Sequence, residues 1–179
     1  MDLQFYIGFT KTKGLYSRVI SFITKEDVTH SFIGYKDLTL HAVGSRTIIK
    51  SLDNTLKKAN NVQLVPLPAL KPKATCVTLE RLKDAYFSKP YDWLSILGLG
   101  WVLLIRKVTF NKVTLTNPFA TNDERQGYFC SEECVDFLQN IFPDQEINEI
   151  FKNVDQNITT PGTLKKILLE NGFNFTYIK

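Results

Sequence analysis

The residue best placed to do chemistry in this sequence is Cys130, within the stretch GYFCSEECVDFL at residues 127–138. An aromatic run gives way there to an acidic and then apolar helical pattern, so Cys130 is predicted at the first turn of a helix. The acidic, capping-prone residues SEE follow it. The free N–H groups and positive dipole end of a helix start favour thiolate over thiol, and the thiolate is the nucleophile. The alternative is a thiol that only fills space as a small apolar side chain.

The two histidines of the chain, His30 and His41, both lie in one predicted β-hairpin. If Lys36 and Asp37 form the turn between the strands HSFIGY and LTLHAV, both imidazoles lie on one face, because side chains alternate along a strand. They are then diagonal neighbours, about 7–8 Å apart at the backbone. Imidazole suits proton transfer near neutral pH, so the pair predicts a joint function. The alternative for each ring is a hydrogen-bonded, half-buried structural role.

One cysteine and two histidines suit two chemistries. In a cysteine hydrolase, one imidazole takes the proton from Cys130 and the second imidazole orients the first. In a zinc hydrolase, all three side chains bind the metal and a fourth position holds water. Both require the helix that begins at Cys130 to pack against the histidine face of the hairpin. Cys134 lies one helical turn after Cys130, and we interpret it as a core residue.

The elements that must position these residues alternate between β-rich and helical patterns, which predicts an α+β fold. Strands are predicted at residues 3–9, 30–35, 38–43, 47–50, 61–67 and 173–178. Helices are predicted at residues 15–23, 77–87, 91–105, 130–142 and 161–172. The proline-rich PLPALKP is short enough to be a connector within one domain.

The bulk composition fits one globular domain over residues 1–179. A net charge of +4, with both signs mixed along the chain, is too small to indicate nucleic-acid binding. Three scattered cysteines form no disulfide framework and the N-terminus shows no secretory pattern, so we expect a cytoplasmic location. The longest apolar run, WLSILGLGWVLLI, is too short to cross a bilayer and is predicted as a buried helix. Contact with a membrane surface is its alternative.

Four stretches of the chain resemble the circularly permuted papain-like superfamily, and within it the YiiX/YaeF-like branch of the NlpC-related proteins. They are THSFIGY for the histidine strand, LHAV for the second polar strand, YFCSEECV for the nucleophile helix, and TPGTL near the end. The resemblance spans most of the chain. It implies a single permuted papain-like domain over residues 1–179, in which an antiparallel sheet or half-barrel packs against helices.

By this resemblance, Cys130 is the nucleophile, His30 is the base and His41 orients His30. The substrate-binding residues are then Tyr91 of KPYDW, Ser31 and Ser131. Two departures stand out: the Gly-Asp that often precedes the first strand is absent, and the YiiX-like branch commonly has glutamate at the position of His41. A histidine there is more similar to the lecithin retinol acyltransferase-like branch.

The activity that the resemblance implies is that of a cysteine peptidase or amidase, which cleaves an amide through a thioester on Cys130 and needs no cofactor or metal. Its substrate would be a peptide, a peptidoglycan fragment or an acylated small molecule. Two alternatives remain open. The same three residues could transfer or hydrolyse lipid acyl groups, or the chain could be a non-enzymatic module of a phage or virion. Fold analogy does not decide among them.

Overall fold

A computed structural model of the chain describes residues 4–11, 18, 21, 25–44, 46–109, 115–119 and 128–177. Its strands are β1 (Phe5–Lys11), β2 (His30–Tyr35), β3 (Leu38–Val43), β4 (Arg46–Ser51), β5 (Asn60–Pro66) and β6 (Thr176–Tyr177). Its helices are α1 (Leu52–Lys58), α2 (Pro72–Tyr86), α3 (Trp93–Val108), α4 (Cys130–Asp136), α5 (Gln145–Phe151) and α6 (Pro161–Glu170). A π-helical turn, Phe137–Ile141, continues α4, and a 3-10 turn covers Gln156–Ile158.

The predicted α+β class is confirmed, since strands and helices follow one another as the sequence pattern indicates. Three differences stand out: α1 and α5 were not predicted, and α2 begins at Pro72 instead of residue 77, because proline is favoured in the first helical turn. Apart from Arg18 and Ser21, the helix predicted over residues 15–23 lies outside the described part of the chain.

The strands form one six-stranded sheet in the order β4-β3-β2-β1-β5-β6, with every neighbouring pair antiparallel. The β2–β3 hairpin has the predicted register, with Tyr35 opposite Leu38 across the turn. Lys36 in that turn adopts a φ of 49°, in the left-handed region that tight hairpin turns require. Pairing between β2 and β3 ends at Ile33 and Leu40, before either strand ends.

The central strand β1 is buried on both faces of the sheet, because each face carries its own apolar cluster. Phe5, Ile7 and Phe9 point to one side, which we call the α4 face, where they pack with Ile33 and residues of α4 and α6. Tyr6 points to the other side, the α1 face, where it packs with Phe32, Leu64 and residues of α1. On this α1 face the ring of Phe32 lies over Gly8 and the ring of Tyr6 lies over Gly34, leaving no room for a Cβ at either glycine.

The apolar run at residues 93–105 is helical, but the prediction that this helix is buried is wrong. Only one side of α3 packs on the protein, through Ser95, Leu99 and Val102. Its other side is open to solvent because no described element covers it. Among the described residues, no helix has both the length and the apolar character needed to span a membrane.

Candidate functional site

The two histidines lie on one face of the hairpin, as the register predicts. His30 Nε2 and His41 Nδ1 are 2.9 Å apart, within hydrogen-bond distance, and the two rings are nearly parallel. The Phe32 ring packs against His41 at 4.6 Å between centroids. His41 Nε2 lies 2.9 Å from Thr39 Oγ1 and 3.1 Å from Thr55 Oγ1. Both nitrogens of His41 therefore have partners, which fixes the orientation of its ring.

The hydroxyl protons of the two threonines bear on which nitrogen of each ring carries a proton. Thr39 Oγ1 donates to the Lys50 carbonyl at 3.2 Å, and Thr55 Oγ1 donates to the Ser51 carbonyl at 3.3 Å. The two hydroxyls are also 3.0 Å apart, and each has one proton to share among these partners. When both protons point to the carbonyl oxygens, which only accept, both hydroxyls accept from His41 Nε2–H. His41 Nδ1 then accepts from His30 Nε2–H, and the remaining nitrogen of a neutral His30, Nδ1, is unprotonated. This chain of hydrogen bonds leaves His30 able to accept a proton.

Both imidazoles are neutral at pH 7. Burial lowers the pKa of His30 from its ordinary 6.5 to about 4, with a smaller contribution from the nearby Lys50 ammonium. Burial lowers the pKa of His41 further, to about 2, and the neighbouring His30 and Lys50 add to that effect. The hydrogen-bonded pair is therefore a neutral donor and acceptor.

Cys130 begins α4, as predicted, and is 4% exposed. Its sulfur lies where β2 and β3 have stopped pairing. By the register, Ser31 and Ala42 would face each other there. Instead, the Ser31 N–H lies close enough to the Cys130 thiol to lower its pKa, and the Ala42 N–H donates to Glu133 Oε2 at 3.1 Å. The first turn of α4 thus lies between the ends of the two strands, with the thiol against Ser31, the residue that follows His30 in β2.

The expectation that this helix packs against the histidine face is wrong. Cys134 and Val135 of α4 belong to the apolar cluster on the α4 face, together with Ile33 and Leu40. His30 and His41 point to the opposite side, because they alternate with those apolar residues along β2 and β3. Cys134 is a core residue, as interpreted from the sequence. Whether the Cys130 sulfur reaches the His30 ring past the end of β2 stays a prediction.

The low thiol pKa expected from the helix start does not hold in this setting. Burial raises the pKa of Cys130 from its ordinary 9.0 to about 11. The Ser31 N–H lowers this pKa, the Glu133 carboxyl raises it, and the Ser131 N–H lowers it. The N–H groups that the helix start was expected to supply are present, but desolvation outweighs them.

The three residues predicted to bind substrate all lie near the thiol. Tyr91 is half-buried, and burial first, then the neighbouring Cys130 and Glu133, raises the pKa of its phenol. A single backbone bridge joins Tyr91 to Tyr128, two residues before Cys130. Ser31 is fully buried beside the sulfur. The Ser131 hydroxyl donates to the Thr159 carbonyl at 2.7 Å, so it holds α4 in place, while its N–H is close enough to the thiol to lower the pKa of Cys130.

The sequence analysis did not place Glu133 in the candidate site. It is fully buried, it neighbours Cys130 and Tyr91, and burial raises the pKa of its carboxyl to about 8. Its spacing could have revealed it, because a residue three positions after Cys130 shares the same helix face. Thr39 was also missed, although it lies two residues before His41 and so on the same strand face.

Within the described ranges, no three His, Cys, Asp or Glu side chains come together in a way that could hold a metal ion. Comparison of the chain with protein-family models, with curated proteins and with solved structures finds no match in any of the three.

Proposed function

We propose that this protein is a cysteine amidase of the permuted papain-like type, which cleaves an amide through a thioester on Cys130. The observation that supports it best is the hydrogen-bond chain from Thr39 and Thr55 through His41 to His30. With the threonine protons on the carbonyl oxygens, that chain leaves Nδ1 of His30 unprotonated, one residue along β2 from the Ser31 N–H at the thiol. A thiol, a base with a fixed tautomer and N–H groups at a helix start are the parts that acyl transfer requires.

In the proposed reaction, the proton of Cys130 moves to Nδ1 of His30 as the sulfur attacks the amide carbonyl carbon. The oxyanion is stabilised by N–H groups at the start of α4. The C–N bond then breaks, and His30 gives its proton to the leaving amine. Water attacks the thioester, with His30 again taking the proton, and the carboxylic acid leaves as the thiol re-forms. His41 supports the charge that His30 gains in both steps.

The second candidate is acyl transfer or hydrolysis of a lipid by the same residues. The exposed apolar side of α3 favours it, because α3 begins two residues after Tyr91, which neighbours the thiol. Peptide and lipid donors therefore have to be tested side by side. The non-enzymatic alternative is favoured by the small exposed fraction of Cys130.

The test is to trap the acyl intermediate. The protein is incubated with peptide anilides, with soluble peptidoglycan fragments and with a short-chain phospholipid, and acylated residues are mapped by mass spectrometry. We expect an acyl group on Cys130 in the wild type and in the matched Cys134→Ala control, and none in Cys130→Ala. Acylation with the phospholipid alone would favour the second candidate. Acylation at Cys76 alone, or at no cysteine with any donor, would reject both enzymatic functions.

The positioning role of Thr55 has its own test. Thr55→Val keeps the shape of the side chain but removes one of the two acceptors for His41 Nε2–H and a hydrogen-bond partner of the other, Thr39. If the tautomer chain matters, kcat falls about tenfold with little change in KM, as for the loss of a residue that orients a base. The exposed Asn54→Ala in the same helix is the control. Equal kcat values in the two variants would show that the threonine is only structural.

A further inference from the structure

The open side of α3 carries a continuous stripe of large apolar side chains. Its members, at alternating spacings of three and four residues, are between 50% and 67% exposed: Leu94, Leu97, Trp101, Leu104 and Val108. Phe119, which is 49% exposed, lies against Gly98 and widens the stripe. We call these six residues the α3 stripe.

The α3 stripe is unusual because the opposite side of the same helix is also apolar and already buried. Leu99 and Val102 are buried against the rest of the protein. The helix therefore has an apolar side that packs on the core without the α3 stripe. The outer side of such a helix normally carries charged and polar residues. Large contiguous apolar patches on a protein surface mark contacts with another molecule or with a membrane.

The charged residues of α3 itself are all positive. The sequence of α3 contains no acidic residue, and its last turn contains Arg106 and Lys107. Lys107 is exposed at the edge of the α3 stripe. Arg106 is half-buried, and its guanidinium Nη2 donates to the Leu115 carbonyl oxygen at 3.5 Å. Asp92, the residue before α3, is buried and accepts from the N–H and hydroxyl of Ser95. An apolar stripe with a central tryptophan and a basic edge matches a membrane interface that carries negative charge.

A second copy of the chain fits the stripe less well. The spacing would suit the seam of a coiled coil, but such seams are flanked by charged residues of both signs that set partner and direction. The flanking positions on α3 include Gly98 and Gly100, and the one exposed charge there is Lys107. Two such helices side by side would bring like charges together or leave them unpaired.

We propose that the α3 stripe docks this protein on the surface of an anionic phospholipid membrane, with α3 in the plane of the interface. The α3 stripe enters the region between headgroups and acyl chains, and Lys107 contacts the negative headgroups. This docking does not depend on whether Cys130 is a nucleophile.

The test is binding of the full chain to vesicles of phosphatidylcholine with and without phosphatidylserine, measured by co-sedimentation. Leu97→Asp should weaken binding about tenfold or more, because it removes a leucine from the apolar contact and adds a negative charge. Leu169→Asp changes an exposed leucine on α6 and is the matched control, for which no change is expected. Lys107→Gln should weaken binding about fivefold, and only with phosphatidylserine present.

Two further measurements keep the test independent of folding defects. Circular dichroism and thermal unfolding should be the same for Leu97→Asp and wild type. Brominated phosphatidylcholine in the vesicles should quench wild-type tryptophan fluorescence, and less so in Trp101→Phe. The proposal is overturned if the wild type does not sediment with anionic vesicles, or if both aspartate variants bind equally. It is also overturned if the wild type is a dimer that Leu97→Asp dissociates while vesicle binding is absent.

Discussion

Glu133→Gln tests the state of the carboxyl that the structure buries beside the thiol. Glu133 is fully buried, and its Oε2 accepts the Ala42 N–H at 3.1 Å. Glutamine has nearly the same shape, and its amide oxygen can accept the same hydrogen bond, so no cavity is created. The substitution therefore removes the titration of this side chain while it keeps the packing of α4 between β2 and β3.

The magnitude follows from the pKa. Burial raises the pKa of Glu133 from 4.5 to about 8, so the folded protein holds this proton more tightly than the unfolded chain does. Its stabilising contribution is complete below pH 4.5 and is lost as pH rises through 8. One pKa unit corresponds to about 1.4 kcal/mol, so the contribution falls by about 2 kcal/mol between about pH 6.5 and 8. The pKa values of His30 and His41 are lowered, so those residues change stability only below about pH 6.5 and do not enter this window.

The assay is urea unfolding, monitored by circular dichroism, at about pH 6.5 and at about pH 8. We expect the wild type to lose about 2 kcal/mol more than Glu133→Gln does on going to the higher pH. The pKa of Glu132 is also raised to about 8, and its charge raises the pKa of Glu133, so the difference between the two proteins includes the coupling of these two carboxyls. Glu149→Gln, at an exposed ion pair with Lys152, should behave as wild type. If Glu133→Gln and wild type lose the same stability, the carboxyl is already ionised at neutral pH and the reasoning from burial fails.

The remaining predictions concern the thiols, the imidazoles and the sheet. In the folded protein, iodoacetamide should label the exposed Cys76 well before the buried Cys130, and equal rates measured by peptide mapping would contradict the burial. His41→Asn should keep part of the hydrolysis rate, since an amide oxygen can accept from the base; complete loss of kcat would assign His41 a larger role. Gly34→Ala should lower the free energy of unfolding by about 3 kcal/mol or more, because a Cβ there overlaps the ring packed on it. An unchanged urea midpoint would refute that packing.

The sequence predicts the hairpin and its histidine pair because local rules decide both. Lys36 and Asp37 lie where a two-residue turn must be, and alternation along the strands then fixes which side chains share a face. The start of α4 at Cys130 follows for the same reason, since acidic residues in the first turn and an apolar pattern after it are local signals.

The packing partner of each face depends on distant parts of the chain, and there the sequence prediction failed. Along β2, Phe32 and Ile33 are both apolar and both buried, because the sheet is covered on its two faces. Alternation alone therefore does not say which face receives α4. The exposed side of α3 was missed for a related reason: an apolar run shows that a helix avoids water without showing whether protein or another surface covers it.

Burial acts in opposite directions on the two groups of the proposed reaction. It raises the pKa of Cys130 to about 11 and lowers the pKa of His30 to about 4, so a resting thiolate and imidazolium are both disfavoured. The proton must then leave the thiol as the sulfur attacks the substrate, which makes the tautomer of His30 decisive. Only a ring whose Nδ1 is already unprotonated can take that proton. In this protein the two threonine hydroxyls beside His41 meet that requirement when they donate to the Lys50 and Ser51 carbonyls, because His30 then carries its proton on Nε2.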